Sequence, residues 1–275
     1  YENDYRYSAV YTADDFVTVI HAGEGIPTLE AEQNDSERTV GYDAPEPLPV
    51  RRELEAQVML KFCFVFSAVH PQSGEEMLLK YPVLVVLHQK HQLIEMRFDV
   101  LKQYFQTQQG YYSKLLQKIR AYLKEKLAVE LVPLEMNFMK ETANDEVKLI
   151  AEYMNMASGG RAVLEVGDNE EWVLPFIGEL KSLIQEYHAD LEKVPALEDA
   201  LNQFVYEKSE MSEFPWIELL WPNEIKTRSV RAKFTFNYGN NGFGLIQHYY
   251  NAVLIGRERM DRVIEHISAN RPRDC

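Results

Sequence analysis

The chain has 275 residues, 46% of them hydrophobic and 26% charged, the ordinary mix of a globular protein able to bury a full core in one large or two modest domains. No uninterrupted apolar run reaches the roughly 18 residues a membrane helix needs; even residues 81–87 are bounded by Lys80 and His88, so no membrane span is expected. The formal net charge of −14 is unevenly spread, with −9 on residues 1–55 and +5 on residues 226–275, where nine bases face four acids.

Residues 5–11 alternate as a short strand, and the polar run Thr12-Ala13-Asp14-Asp15 supplies a capping-box-like start for a brief helix to Ile20. Glu2, Asp4 and Arg6 precede any apolar block, so the start does not read as a signal peptide, and the first residue, Tyr1, leaves room for residues upstream. Between Ala22 and Arg52 the composition turns to Gly, Pro, Glu, Asp, Gln and Ser, which reads as an acidic linker or a loop wrapped over another surface.

From Gln57 to Val100 three alternating apolar runs are joined by two short polar turns, Pro71-Gln72-Ser73-Gly74 and His88-Gln89-Lys90-His91. Val58, Leu60, Phe62, Phe64, Phe66 and Ala68 share one face of the first run, and Ile94, Met96, Phe98 and Val100 share one face of the third. This period of two predicts an antiparallel three-stranded meander. Residues 101–108 and 111–127 follow with helical periodicity, Leu115, Leu116, Ile119, Tyr122 and Leu123 forming a stripe and Lys114, Lys118, Lys124 and Lys126 lying off it.

Further strands are predicted over 130–139, 161–166, 172–177, 216–221 and 230–238, with 161–166 and 172–177 forming a hairpin about Gly167-Asp168-Asn169. Helices are predicted over 144–156, 179–191 and 196–208, the last two separated by Pro195. After the glycine-asparagine turn 239–244, residues 245–267 read as one long helix or two broken near Gly256. The whole is an α+β pattern, a largely antiparallel mixed sheet with packed helices, organised as 1–55, a meander and helix domain at 56–140, and a helix-rich domain at 141–275.

Candidate chemistry is sparse. Asp168 followed by Glu179-Leu180-Lys181 matches the order of an acid and Glu-x-Lys in metal-dependent nucleases of the restriction-endonuclease-like type. There the carboxylates hold Mg²⁺ and the lysine orients water beside the scissile phosphate. The pattern requires a strand, and here the periodicity running on through Ile184 is helical, which would turn Glu179 and Lys181 apart.

The turn Gly239-Asn240-Asn241-Gly242-Phe243-Gly244, read as leading from a strand into a helix, offers amides to a phosphate but lacks the nucleoside-triphosphate and dinucleotide fingerprints. His88 and His91, with Glu95 or Asp99 nearby, lack a clearly spaced third metal ligand and read as surface turn residues. Lys226, Arg228, Arg231 and Lys233, interleaved with Trp216, Trp221, Phe234, Phe236 and Tyr238, are the ingredients of a nucleic-acid surface.

Two cysteines, Cys63 within a strand pattern and Cys275 at the last position, fit a reducing cytoplasmic setting, with Cys63 as a small buried hydrophobe. No residue pattern is specific enough to name a family. The sequence favours a non-catalytic interaction or regulatory subunit, docking a protein partner through its acidic N-terminal arm and basic C-terminal face. The alternative is the nuclease built on Asp168, Glu179 and Lys181.

Overall fold

The structure, a computed structural model, describes residues 5–28, 39–41, 48–54, 57–101, 105, 110–144, 146–155, 161–165, 180, 183–210, 213–225, 228–240, 242–249 and 256–272. The chain divides into two compact units, residues 1–135 with 237–250 and 254–275, and residues 136–236 with 251–253. The architecture is α+β, with a largely antiparallel mixed sheet and packed helices. Among the described residues no helix is long and apolar enough to cross a membrane.

The first unit is built on the meander. Strands β4 (Gln57–Val69), β5 (Glu76–His88) and β6 (Leu93–Phe98) pair antiparallel in sequence order, β4 and β5 through thirteen matched residues. β1 (Tyr7–Thr12) adds to β6, and β12 (Leu245–Tyr249) adds to β1, both antiparallel. The outer edge of β4 takes β2 (Thr39–Gly41) in parallel and β3 (Val50–Leu54) antiparallel, while β7 (Val132–Pro133) pairs with β1. Part of the expected acidic linker is therefore sheet: Val40 and Val50 lie in short apolar-polar alternations that complete the ladder of β4.

The two faces of this sheet differ in chemistry. Val58, Leu60, Phe62 and Phe64 of β4, Val83, Val85 and Leu87 of β5, and Ile94, Met96 and Phe98 of β6 form the main core with Leu115, Leu116, Ile119 and Leu123 of helix α2 (Tyr111–Leu127). Helix α1 (Phe16–Ala22) adds Phe16 and Val19 to it. Its cap is Asp15, whose Oδ1 accepts the Thr18 amide at 3.0 Å. At the far end of α2, Ala128 turns left-handed at φ 54°, and the Val129 amide returns to the Leu123 carbonyl at 3.0 Å. The opposite face carries a smaller apolar cluster of Tyr5, Met59, Leu84 and Val86 with Met260 of helix α5 (Gly256–Asn270).

In the second unit, β10 (Glu213–Trp221) lies between β11 (Val230–Thr235) and β8 (Lys148–Asn155), and β9 (Arg161–Glu165) pairs outside β8, all antiparallel. Helices α3 (His188–Leu191) and α4 (Pro195–Glu210) belong to the same unit.

Three elements differ from expectation. The expected helix over 144–156 is strand β8, because pairing with β10 and β9 overrides a short ambiguous apolar run. The 245–249 start of the expected terminal helix is strand β12, where β1 supplies the partner. Over 130–139 the strand shrinks to β7, and a 3₁₀ turn follows at Asn137–Glu141. The expected strand 172–177 lies outside the described residues.

Candidate functional site

The meander brings ionisable side chains together on the face opposite the main core. Because side chains alternate along a strand, Glu95 and Arg97 leave β6 on the side away from Ile94, Met96 and Phe98, and the register sets Glu95 beside Val86 and Arg97 beside Leu84. His88 Nε2 donates to Glu95 Oε2 at 2.9 Å, and Arg97 Nε donates to the same oxygen at 2.8 Å. Arg97 then reaches Asp261 Oδ1 on α5 at 2.6 Å, and Arg257 Nε stands 3.5 Å from Asp261 Oδ2. Beside them, Ser8 Oγ and His248 Nε2 are 3.0 Å apart.

Burial of these groups is close to complete: Glu95 is 0%, Arg97 1%, His88 2% and His248 2% exposed. Burial pushes the Glu95 carboxyl up, yet the Arg97 charge and the His88 hydrogen bond outweigh it and bring its pKa down to about 2. Burial likewise disfavours the Arg97 charge, and Glu95 with Asp261 reverses that, so its pKa rises. His248 has no such compensation. Desolvation, only partly opposed by Glu95, pushes its pKa down to about 4. Glu95 and Arg97 are sealed from solvent while Asp261 is 26% exposed, and this charged chain acts on the fold, tying α5 to β6 through Asp261.

Sequence reasoning missed this cluster. His88 was expected at a surface turn, but β5 runs one residue further than the hydrophobic run suggests, and His88 pairs with Gln57 inside the sheet. The legible signal was the alternation Leu93-Ile94-Glu95-Met96-Arg97-Phe98, in which the polar residues occupy what a one-sided sheet would leave wet, and α5 covers that side instead.

The glycine turn is a turn. Gly239 and Gly242 take φ of 59° and 71°, Tyr238 donates its amide to the Phe243 carbonyl, and the Gly242 amide binds Asn237 Oδ1. It leads into β12, so no helix N-terminus follows it to hold a phosphate. Among the described residues, no group of three or more His, Cys, Asp or Glu is placed to hold a metal ion.

Asp168, Glu179 and Lys181, the nuclease candidates, lie outside the described residues, as does Lys226. The helical turn through residues 183–186 continues into α3, as the periodicity after Glu179 anticipated. Arg228 is exposed. Arg231 Nε donates to Glu218 Oε2 at 2.8 Å, and Lys233 Nζ sits 3.5 Å from the centroid of the Trp216 ring. Trp221 and Phe234 are core residues of the second unit.

The helical run 183–206 differs in kind. Leu183, Tyr187, Val194, Leu197 and Tyr206 are each about half exposed, Tyr206 at 62%. Five carboxylates (Glu186, Asp190, Glu192, Glu198, Asp199) share the stretch with one lysine, Lys193. His188 Nδ1 meets Glu198 Oε1 at 2.8 Å, and Lys193 is held by Asp190 at 2.6 Å.

Fold and side-chain layout thus describe an α+β protein whose best-connected polar cluster is buried and whose helical run 183–206 presents large apolar side chains to solvent. No protein-family model matches the chain, and no curated protein matches it in sequence.

Proposed function

We propose that the chain is a non-catalytic interaction or regulatory subunit of a larger assembly, docking a protein partner. The observation that carries this reading is the helical run 183–206, which leaves Leu183, Tyr187, Val194, Leu197 and Tyr206 open to solvent amid an excess of carboxylates. A concentration of large exposed apolar side chains rimmed by charge is the usual mark of a protein-docking surface. Its sign selects the partner: a segment with apolar anchors and flanking lysines or arginines would pair the five carboxylates on association. The acidic N-terminal stretch and the basic C-terminal stretch then steer orientation through long-range charge.

The test is affinity capture from native extract with the wild-type chain and with Leu183→Glu/Tyr187→Glu/Tyr206→Glu, two proteins expected to share the same melting curve because these side chains are exposed. A partner held by the wild type in stoichiometric amount and lost from the variant supports the reading. Equal capture by both overturns it, and so does Mg²⁺- or Mn²⁺-dependent cleavage of nucleic acid that Glu179→Ala abolishes.

A further inference from the structure

Helix α4 has little of its surface covered. Among its described side chains Glu198, Leu201 and Val205, three and four residues apart, are the least exposed, and Val205 alone is buried. A helix of 16 residues is marginal in water and takes most of its stability from the apolar stripe it packs. A second stripe on α4 faces outward: Leu197, Ala200, Leu201 and Phe204 stand at i, i+3, i+4 and i+7, with Val194 one turn before Leu197. Val194 and Leu197 are about half exposed, and Phe204 is 40% exposed.

Beside that stripe Asp199, Ala200, Asn202, Gln203 and Tyr206 line a shallow groove. Asp199 is exposed and has no ion-pair or hydrogen-bond partner among the described residues. The groove therefore brings together a methyl group, a phenol ring and an unengaged carboxylate. Those are the surfaces a lysine or arginine uses when it lays its stem on apolar atoms and pairs its charge. Residues 183–206 carry five carboxylates against one lysine, which Asp190 already holds. A second copy of the chain would bring the same excess to the contact, so like charge disfavours self-pairing and selects a basic partner.

We propose that α4 docks one basic amphipathic helix of a partner protein, whose apolar row packs on Leu197, Leu201 and Phe204 while a flanking lysine or arginine lies in the groove with its charge on Asp199. The proposal rests on the docking reading above and names its occupant. A helix is the element whose side-chain spacing repeats that of the stripe, so the ridges of one interlock with the grooves of the other along α4. Anchors at i, i+3, i+4 and i+7 are the signature of that mode of recognition.

The experiment is a fluorescence-anisotropy titration of the full chain against a labelled synthetic peptide of about three heptads, with leucine at a and d and lysine at e and g. A twin peptide carries glutamate at e and g, and both are held at concentrations where they are monomeric and largely unfolded alone. The lysine peptide should bind saturably at one per chain, with more far-UV helical signal than the sum of the parts, and the glutamate twin should not bind. Leu197→Glu should weaken binding about five-fold or more, the loss of an apolar anchor. Because that substitution adds negative charge, a weaker complex separates docking from simple attraction of a polycation. Asp199→Asn should weaken binding about two- to five-fold and reduce its salt dependence. The proposal is overturned if the lysine peptide does not bind, if the glutamate twin binds as well, or if Leu197→Glu binds like wild type with an unchanged melting curve. Sedimentation showing a dimer of the chain that Leu197→Glu dissociates also overturns it, since the occupant is then a second copy. Loss of a captured partner from the Leu183→Glu/Tyr187→Glu/Tyr206→Glu variant, together with no binding of the lysine peptide, removes the basic helix and leaves protein docking standing.

Discussion

Replacing Glu95 by alanine removes the centre of the buried charge chain and leaves the Arg97 guanidinium, 1% exposed, with Asp261 on α5 as its remaining counter-charge among the described residues. Removing one partner of a buried pair costs about 3–5 kcal/mol, because the remaining charge stays desolvated. The depressed carboxyl gives an independent figure. Its pKa of about 2, against 4.5 for the free side chain, implies about 3 kcal/mol of stability from the ionised form. The sign follows from the direction of the shift: the contribution is complete above pH 4.5 and is lost as pH falls through 2.

For a unit of this size each kcal/mol moves the midpoint by roughly 2–4 °C, so Glu95→Ala should melt about 6–20 °C lower at neutral pH. The gap from wild type should close as the pH approaches 2. Near-UV circular dichroism follows the melting, and tryptophan emission reports separately on the second unit, because all three tryptophans (Trp172, Trp216, Trp221) lie there. Glu95→Leu with Arg97→Met, which removes both charges and fills the volume, should recover most of the loss. A Glu95→Ala midpoint within about 2 °C of wild type, with an unchanged acid limb, would refute the reasoning.

Three further outcomes follow from single residues. His248, with a folded pKa of about 4 against 6.5 when free, binds a proton more readily unfolded, so its stability contribution is complete above pH 6.5 and falls away between 6.5 and 4; His248→Asn should flatten that limb in urea titrations run at several pH values, and an unaltered limb would disprove the assignment. Ala128 holds a left-handed φ of 54° at the end of α2, a conformation costing an L-residue about 1–2 kcal/mol; after the entropy that glycine loses on folding, Ala128→Gly should still raise the thermal midpoint by a few degrees, and a fall would count against it. Burial pushes the Cys63 thiol up, the nearby Lys61 and Lys80 charges only partly opposing it; iodoacetamide should therefore modify it with a pH profile displaced above that of a free thiol, and a profile at or below the free-thiol range would contradict this.

The meander was legible because three strands and their turns are adjacent in sequence. Once Phe62, Phe64 and Phe66 alternate with Lys61, Cys63 and Val65, local pattern alone decides that they share a face, and the thirteen-residue pairing of β4 with β5 follows from the turn at Pro71–Gly74. The helix α2 was equally plain, its apolar stripe being the surface the sheet covers. Alternation on β11 placed Ala232 and Phe234 on one side and Arg231 and Lys233 on the other, and the register keeps that division.

What the sequence left open depends on partners distant along the chain. Residues 245–249 carry apolar residues compatible with helix or strand, and they are β12 because β1, some 240 residues earlier, offers an edge at Tyr7 and Ser8. Residues 148–155 are β8 for the same reason, with β10 as the neighbour. His88 was expected at a surface turn, and only the docking of α5, bringing Asp261 within 2.6 Å of Arg97, makes the side of β6 that carries Glu95 and Arg97 an interior. Periodicity along the chain therefore determined which residues share a face; whether that face meets water, another helix or a counter-charge was decided by the tertiary structure, because burial is a property of what packs on top and carries no local signature in the strand itself.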